Sequence, residues 1–246
     1  MRKALVAANW KMHGSMSALR DYLAALELHD SVDAVLLPPA VYLSTAVSLA
    51  PQGLNCGVQD IGTAASGAHT GEVAAEMVAD VGGKWAIVGH SERRLDQHEA
   101  DDLVATKAAA ALRGGISPII CVGETLDERR AGHEQAVVAR QLDAVLDRIE
   151  CAALKGAAIG YEPVWAIGTG ETATPDQAQE MHEFIRNLLI AEDSQAGQQI
   201  RIIYGGSVKP ANAAELFAQP DIDGGLVGGA SLNAQDFSAI IAAAGQ

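Results

Sequence analysis

The chain has no cationic surplus: 31 acidic side chains stand against 17 Lys and Arg, a formal net charge of −14 over 246 residues. A nucleic-acid binder needs a basic face to neutralise phosphates, so this balance argues against that class. Long apolar runs are also missing. None approaches the roughly 20 residues of a membrane-spanning helix. Residues 4–8 behind Arg2-Lys3 look faintly like the start of a signal peptide, but Asn9 ends that run too early, and a buried strand is the better reading. Cysteine is scarce. Cys56, Cys121 and Cys151 form no close pair or metal-type cluster, and their odd number leaves one unpaired in any disulfide scheme. Reduced thiols in a cytoplasmic protein are expected. No low-complexity tract, Pro/Ser-rich linker or shift in composition marks a boundary, so 1–246 reads as a single domain.

What is present is a recurring pattern. Short continuous apolar runs occupy residues 4–8, 34–37, 54–58, 85–88, 116–122, 157–161, 200–204 and 222–227. Continuous runs suit parallel strands covered on both faces, whereas half-exposed strands alternate. Segments of helical period lie between them. One carries Met181, Phe184, Ile185, Leu188 and Leu189, and Thr174-Pro175-Asp176-Gln177 marks its start with an N-cap, a first-turn proline and a capping-box glutamine. A second repeats the pattern with Val138, Leu142, Val145, Leu146 and Ile149, and residues 16–28 and 101–113 read likewise, the latter stopped by Gly114-Gly115. Eight strands alternating with about eight helices match a (β/α)8 barrel, the TIM barrel of eight parallel strands, in count and length. An open doubly wound sheet is the competing architecture.

In a barrel, chemistry sits where strands run into loops. The first run leads into Asn9-Trp10-Lys11, the fourth to His90, the sixth to Tyr161-Glu162, the seventh to Gly205-Gly206-Ser207 and the eighth to Gly228-Gly229. Carboxylate, imidazole, amide and ammonium at one rim suit proton transfer beside a carbonyl. Each also has a plainer reading. Glu162 is either a solvated acid or, between an apolar strand and the apolar loop 163–167, a functional one. His90 is a core histidine, a metal ligand lacking a second ligand at proper spacing, or a neutral electrophile facing the helical turn that Ser91-Glu92-Arg93-Arg94 would open. Lys11 is a surface charge or a site cation, and Asn9 a turn former or a site amide. The glycine pairs are turns or backbone phosphate cradles. Residues 166–170 have the small side chains of a lid. For an anionic substrate the attraction must be local, because charges are screened over about 8 Å at physiological salt.

These motifs together resemble the triosephosphate isomerase family. The resemblance runs through Asn9-Trp10-Lys11-Met12, Gly89-His90-Ser91-Glu92-Arg93-Arg94, the stretch from Tyr161-Glu162-Pro163-Val164-Trp165 through Ala166-Ile167-Gly168-Thr169-Gly170, Tyr204-Gly205-Gly206-Ser207-Val208 and Leu226-Val227-Gly228-Gly229-Ala230-Ser231. It implies interconversion of dihydroxyacetone phosphate and glyceraldehyde 3-phosphate through an enediolate, in glycolysis and gluconeogenesis, with no cofactor and no metal. By that resemblance Glu162 is the base, His90 shuttles protons between the oxygens, and Lys11 and Asn9 stabilise the enediolate. Gly168, Ser207, Gly228 and Gly229 would hold the phosphate, and Ile167 and Leu226 would press on the base under a closed lid. A homodimer through the loop containing Thr70 is also implied. Three positions depart from the family pattern: His13 stands where Asn is commoner, His69 where an aromatic is, and Gly225 where a larger residue is. Charge gained on His13 and His69 in acid would then loosen the dimer.

Two rival readings remain at this level. A Schiff-base aldolase needs a lysine at the catalytic rim, and since Lys84 and Lys155 precede strands only Lys11 qualifies. A non-catalytic sugar-phosphate binder would keep the site and leave it unused.

Overall fold

The computed structural model describes residues 2–166 and 173–246. Its eight strands are β1 (Ala4–Asn9), β2 (Val32–Leu37), β3 (Leu54–Val58), β4 (Trp85–Val88), β5 (Ser117–Val122), β6 (Ala158–Tyr161), β7 (Arg201–Tyr204) and β8 (Gly224–Val227). All pair in parallel and in sequence order, and β8 returns to β1 with Leu5 opposite Gly224 and Ala8 opposite Val227, closing the barrel. The open doubly wound sheet is thereby excluded. Closure demands close backbone approach at this seam. Gly224 sits at φ +129°, and an added Cβ there would strike the Leu5 carbonyl oxygen.

Alternation along the strands sorts the apolar side chains into two cores. Leu5, Ala7, Val35, Leu37, Ile87, Ile119, Cys121, Ala158, Ile203 and Leu226 fill the barrel interior. Their neighbours Val6, Ala8, Leu36, Val88, Ile120, Ile159, Ile202 and Val227 face outward and pack with the helices. The period of two that characterises a strand therefore feeds both cores from the same apolar run. This is why the sequence shows continuous rather than alternating hydrophobicity.

Helices follow the strands as expected, but the described residues hold eleven rather than about eight. The additional ones are short: Ser91–Asp96 is the helical turn that Ser91-Glu92-Arg93-Arg94 suggest, while Leu126–Arg130 and Ser194–Gly197 sit in connections where the sequence shows no helical pattern. Too few apolar residues recur in four to six positions to show a helical period. The segment 101–113 is a helix with those bounds. The helix from Met16 stops at Ala25 because Leu26 turns extended, and Ile149 lies beyond the end of the helix Glu134–Leu146. Thr174 and Gln177 form the capping box anticipated from sequence, each side chain accepting the other's backbone N–H at 3.2 and 3.0 Å. No helix among the described residues is long and apolar enough to cross a membrane.

The helix Pro175–Glu192 carries a buried histidine between itself and the barrel. His182 donates from Nδ1 to the Asp221 carbonyl at 3.1 Å and meets the Tyr161 ring edge-on at 5.7 Å. Burial pushes its imidazole down from 6.5 to about 3. The unfolded chain therefore binds a proton below pH 6.5 that the folded chain refuses until about pH 3, so this group removes stability as the pH falls through that window. The slope reaches at most about 1.4 kcal/mol per pH unit. We predict that the NMR signals of the His182 ring stay those of a neutral imidazole between about pH 8 and pH 5. A midpoint near the ordinary histidine value would contradict the placement.

Candidate active site

The inward parity of the strands carries past their ends. Leu5 and Ala7 point into the barrel, so Asn9 does too; Ala158 is followed inward by Glu162, Ile203 by Gly205, and Leu226 by Gly228. His90 needs a different device. Ile87 is inward, and simple alternation would send residue 90 toward the helices. Gly89 at φ +71° breaks the alternation, with Val104 packed so closely that an added Cβ would lie 2.5 Å from its Cγ1. Five strand ends thereby contribute to one cavity of ≈ 510 Å³, lined by Asn9, Lys11, His90, Glu162, Ser207, Leu226, Gly228 and Gly229 among others. Of the site residues expected from sequence, Ile167 and Gly168 lie outside the described residues.

Glu162 is 2% exposed. Its Oε2 accepts the backbone N–H of Ser91 at 2.9 Å, its Oε1 accepts the Ser91 hydroxyl at 3.3 Å, and His90 Nε2 lies 3.1 Å from Oε1. His90 is itself the N-cap of the helix Ser91–Asp96, and its Nδ1 accepts the Glu92 backbone N–H at 3.3 Å. An imidazole nitrogen that accepts carries no proton, so the neutral ring bears its proton on Nε2, the atom facing the carboxylate and the cavity. The helical turn inferred from Ser91-Glu92-Arg93-Arg94 is present. Its N-terminus meets the histidine in the sense expected from the dipole.

Lys11 adopts φ 51°, one of two positive values among described non-glycine residues. Such a conformation costs about 1–3 kcal/mol and persists only where the surroundings impose it. Asn9 Oδ1 accepts the Lys11 N–H at 3.0 Å, and Gln59 Nε2 donates to the Lys11 and Leu37 carbonyls, each at 2.9 Å. The Lys11 ammonium then reaches Glu92 Oε1 at 2.7 Å. Burial opposes charge on Glu92, but the hydrogen bond from Lys11, with the electrostatic influence of His90 and Lys11, outweighs it and holds the carboxyl below its ordinary range. The two arginines that follow are anchors. Arg93 pairs with Glu99 and Asp60, and Arg94 with Asp101 while donating to the Gly89 and Cys121 carbonyls. Beneath the carboxylate, Cys121 is wholly buried; that burial, reinforced by nearby Glu162, pushes its thiol far up, so it stays protonated.

After β8, and beside the Lys11 side chain, Gly228 caps a short helical turn over Gly229–Leu232. The first N–H groups of such a turn have no partners within it and suit an anion. Lys84 and Lys155 lie just before β4 and β6, at the other rim, as the sequence order required. His13 and His69 are exposed. Gly225 has a packing reason: the Phe217 ring occupies the space a larger side chain would need, 3.2 Å from an added Cβ.

The family model described as triosephosphate isomerase matches residues 4–244. The chain belongs to the triosephosphate isomerase family. Curated relatives agree: the triosephosphate isomerase of Stenotrophomonas maltophilia (strain K279a) is 52% identical over 249 residues, and that of Xanthomonas euvesicatoria pv. vesicatoria (strain 85-10) 50% identical over 248. Each alignment covers 99% of this chain and 99% of the relative. Three contributors have no role that the sequence alone assigns. Ser91 and Glu92 belong to the Gly89-His90-Ser91-Glu92-Arg93-Arg94 motif and open a helical turn, yet Ser91 also holds both oxygens of Glu162 and Glu92 pairs with Lys11. Gln59 carried no signal beyond its position after β3.

Gly205 leaves the room that Glu162 occupies, since an added Cβ would lie 2.8 Å from Glu162 Cγ and 3.1 Å from the Tyr161 carbonyl. Gly205→Ala should therefore displace the carboxylate and lower kcat on the order of 10- to 100-fold, the cost of a misplacement near 1 Å. An isomerisation assay beside a thermal melt checks this. An unchanged kcat in a folded variant would show that the space is not needed.

Proposed function

We propose that the chain interconverts dihydroxyacetone phosphate and D-glyceraldehyde 3-phosphate at this cavity, with Glu162 as general base. The observation that carries this reading is the approach of the buried Glu162 carboxylate to His90 Nε2 at 3.1 Å, in one cavity with Lys11 and Asn9. Substrate entry exchanges the Ser91 hydrogen bonds of the carboxylate for the carbon-bound proton beside the substrate carbonyl. Glu162 takes that proton, and the electron pair moves toward the carbonyl oxygen. His90 donates its Nε2 proton to that oxygen and recovers one from the neighbouring hydroxyl. Returned by Glu162 to the adjacent carbon, the first proton completes the isomerisation with no net gain or loss. Lys11 and Asn9 stabilise the charge that develops on the oxygens. Ser207, Gly228 and Gly229, with Gly168, hold the phosphate through backbone N–H groups. Leu226, which lines the cavity beside Glu162, and Ile167 exclude water and strengthen the base by desolvation.

Residues 1–246 act as one barrel domain in this reading, in the cytoplasm, where the three buried free cysteines stay reduced. The active form is a homodimer. Support comes from the segment after β3, whose base is pinned by the Gly62 N–H to the Val73 carbonyl at 2.9 Å while residues 65–72, including Thr70, are all exposed. Met12, next to Lys11, is 95% exposed, and a partner would cover it.

Two measurements test these statements. In a coupled isomerase assay, Glu162→Ala should lose at least the ~10²–10⁴ in kcat that a positioned base contributes, with a far smaller change in KM. A variant that kept near wild-type kcat would refute the assignment. Sedimentation at neutral pH should give a dimer; an active monomer would end the dimer reading.

A further inference from the structure

The cavity that would receive a phosphorylated triose is poor in positive charge. Two lysines line it, Lys11 and Lys209, against the carboxylates of Glu162 and Asp236. The Lys11 charge is already met by Glu92 at 2.7 Å. Lys209 forms no ion pair among the described residues, and it lines the same cavity as Ser207 and Gly229.

Local structure gives no reason for a lysine at this position. Lys209 is the N-cap of the helix Pro210–Phe217, with an extended backbone at φ −138° and ψ 161°. N-caps favour Ser, Thr, Asp and Asn, whose oxygens accept the free N–H groups, and an ammonium accepts nothing. A cation at this end also opposes the helix dipole. The capping work falls to Asn212, whose Oδ1 accepts the Lys209 N–H at 2.8 Å and whose Nδ2 donates to the Ser207 carbonyl at 3.0 Å. The root of the lysine is thus held by Asn212, its head forms no ion pair among the described residues, and its placement costs the helix something. Residues that break a local rule without local compensation concentrate at functional sites.

We infer that Lys209 is a specificity-determining cation that recognises the dianionic phosphate of the substrate from the mouth of the cavity. It supplies at the site the full positive charge that backbone N–H groups lack, in a chain whose net charge is −14 and where attraction for an anion must be local. The inference rests on the proposed isomerase reading.

The test compares wild type, Lys209→Gln and Lys209→Arg on glyceraldehyde 3-phosphate and on unphosphorylated glyceraldehyde, at low and high salt. Lys209→Gln should lower kcat/KM for the phosphorylated substrate roughly three- to tenfold at low salt, the larger share appearing in KM. The ratio of kcat/KM between the two substrates should fall with it. Wild-type kcat/KM should decline with salt more steeply than that of the variant, and Lys209→Arg should restore both the ratio and the slope. Equal losses on both substrates would mark a structural effect through the helix cap and overturn the inference, as would an unaltered salt slope. A wild-type chain inactive on the triose phosphate would instead sink the isomerase reading, and the inference with it.

Discussion

Closure of the parallel barrel is the constraint on which the rest depends. Once β8 pairs with β1, every strand side chain must enter either the barrel or the layer of helices. Leu5, Ala7, Val35, Leu37 and Leu226 take the first course and their immediate neighbours the second. The interior is packed, so polar groups collect only where the strands run out. Parity then aims Asn9, Glu162, Gly205 and Gly228 into one cavity without any of them touching in sequence. His90 is the exception that required a left-handed glycine, since its strand ends in the opposite phase.

Electrostatic order at this rim is obtained by pairing rather than by net charge. The short helix Ser91–Asp96 does most of it: its first N–H holds Glu162, its second fixes the His90 tautomer, its Glu92 meets Lys11, and its arginines tie it to Glu99, Asp60 and Asp101. The contact with Glu162 is buried, where a charge-assisted hydrogen bond is worth more than at the surface. The left-handed Lys11 belongs to the same economy of strain. Its backbone is gripped by Asn9 on one side and Gln59 on the other. Lys209 stands outside this network, which is what frees its charge for a ligand.

The amino-acid sequence by itself determined the succession of strands and helices, because these are written in local chemistry, whereas the return of β8 to β1 that excludes an open sheet was decided by the tertiary structure. All eight apolar runs coincide with strands to within two residues at either end, the helix over 101–113 has its anticipated bounds, and Thr174 with Gln177 caps as its spacing required. The positions of Asn9, Lys11, His90 and Glu162 were legible for the same reason, since each stands at or just past the end of a buried strand. Only the tertiary structure decided how they are held. Ser91 is 71 positions from Glu162, and Lys11 is 81 from Glu92, so no window of sequence could pair them. Phe217 filling the space beside Gly225, and Gly89 turning His90 inward, likewise depend on neighbours brought in by closure. Hydrophobic period is a property of a few consecutive residues, whereas a hydrogen bond across a barrel exists only after the chain has returned to its own beginning.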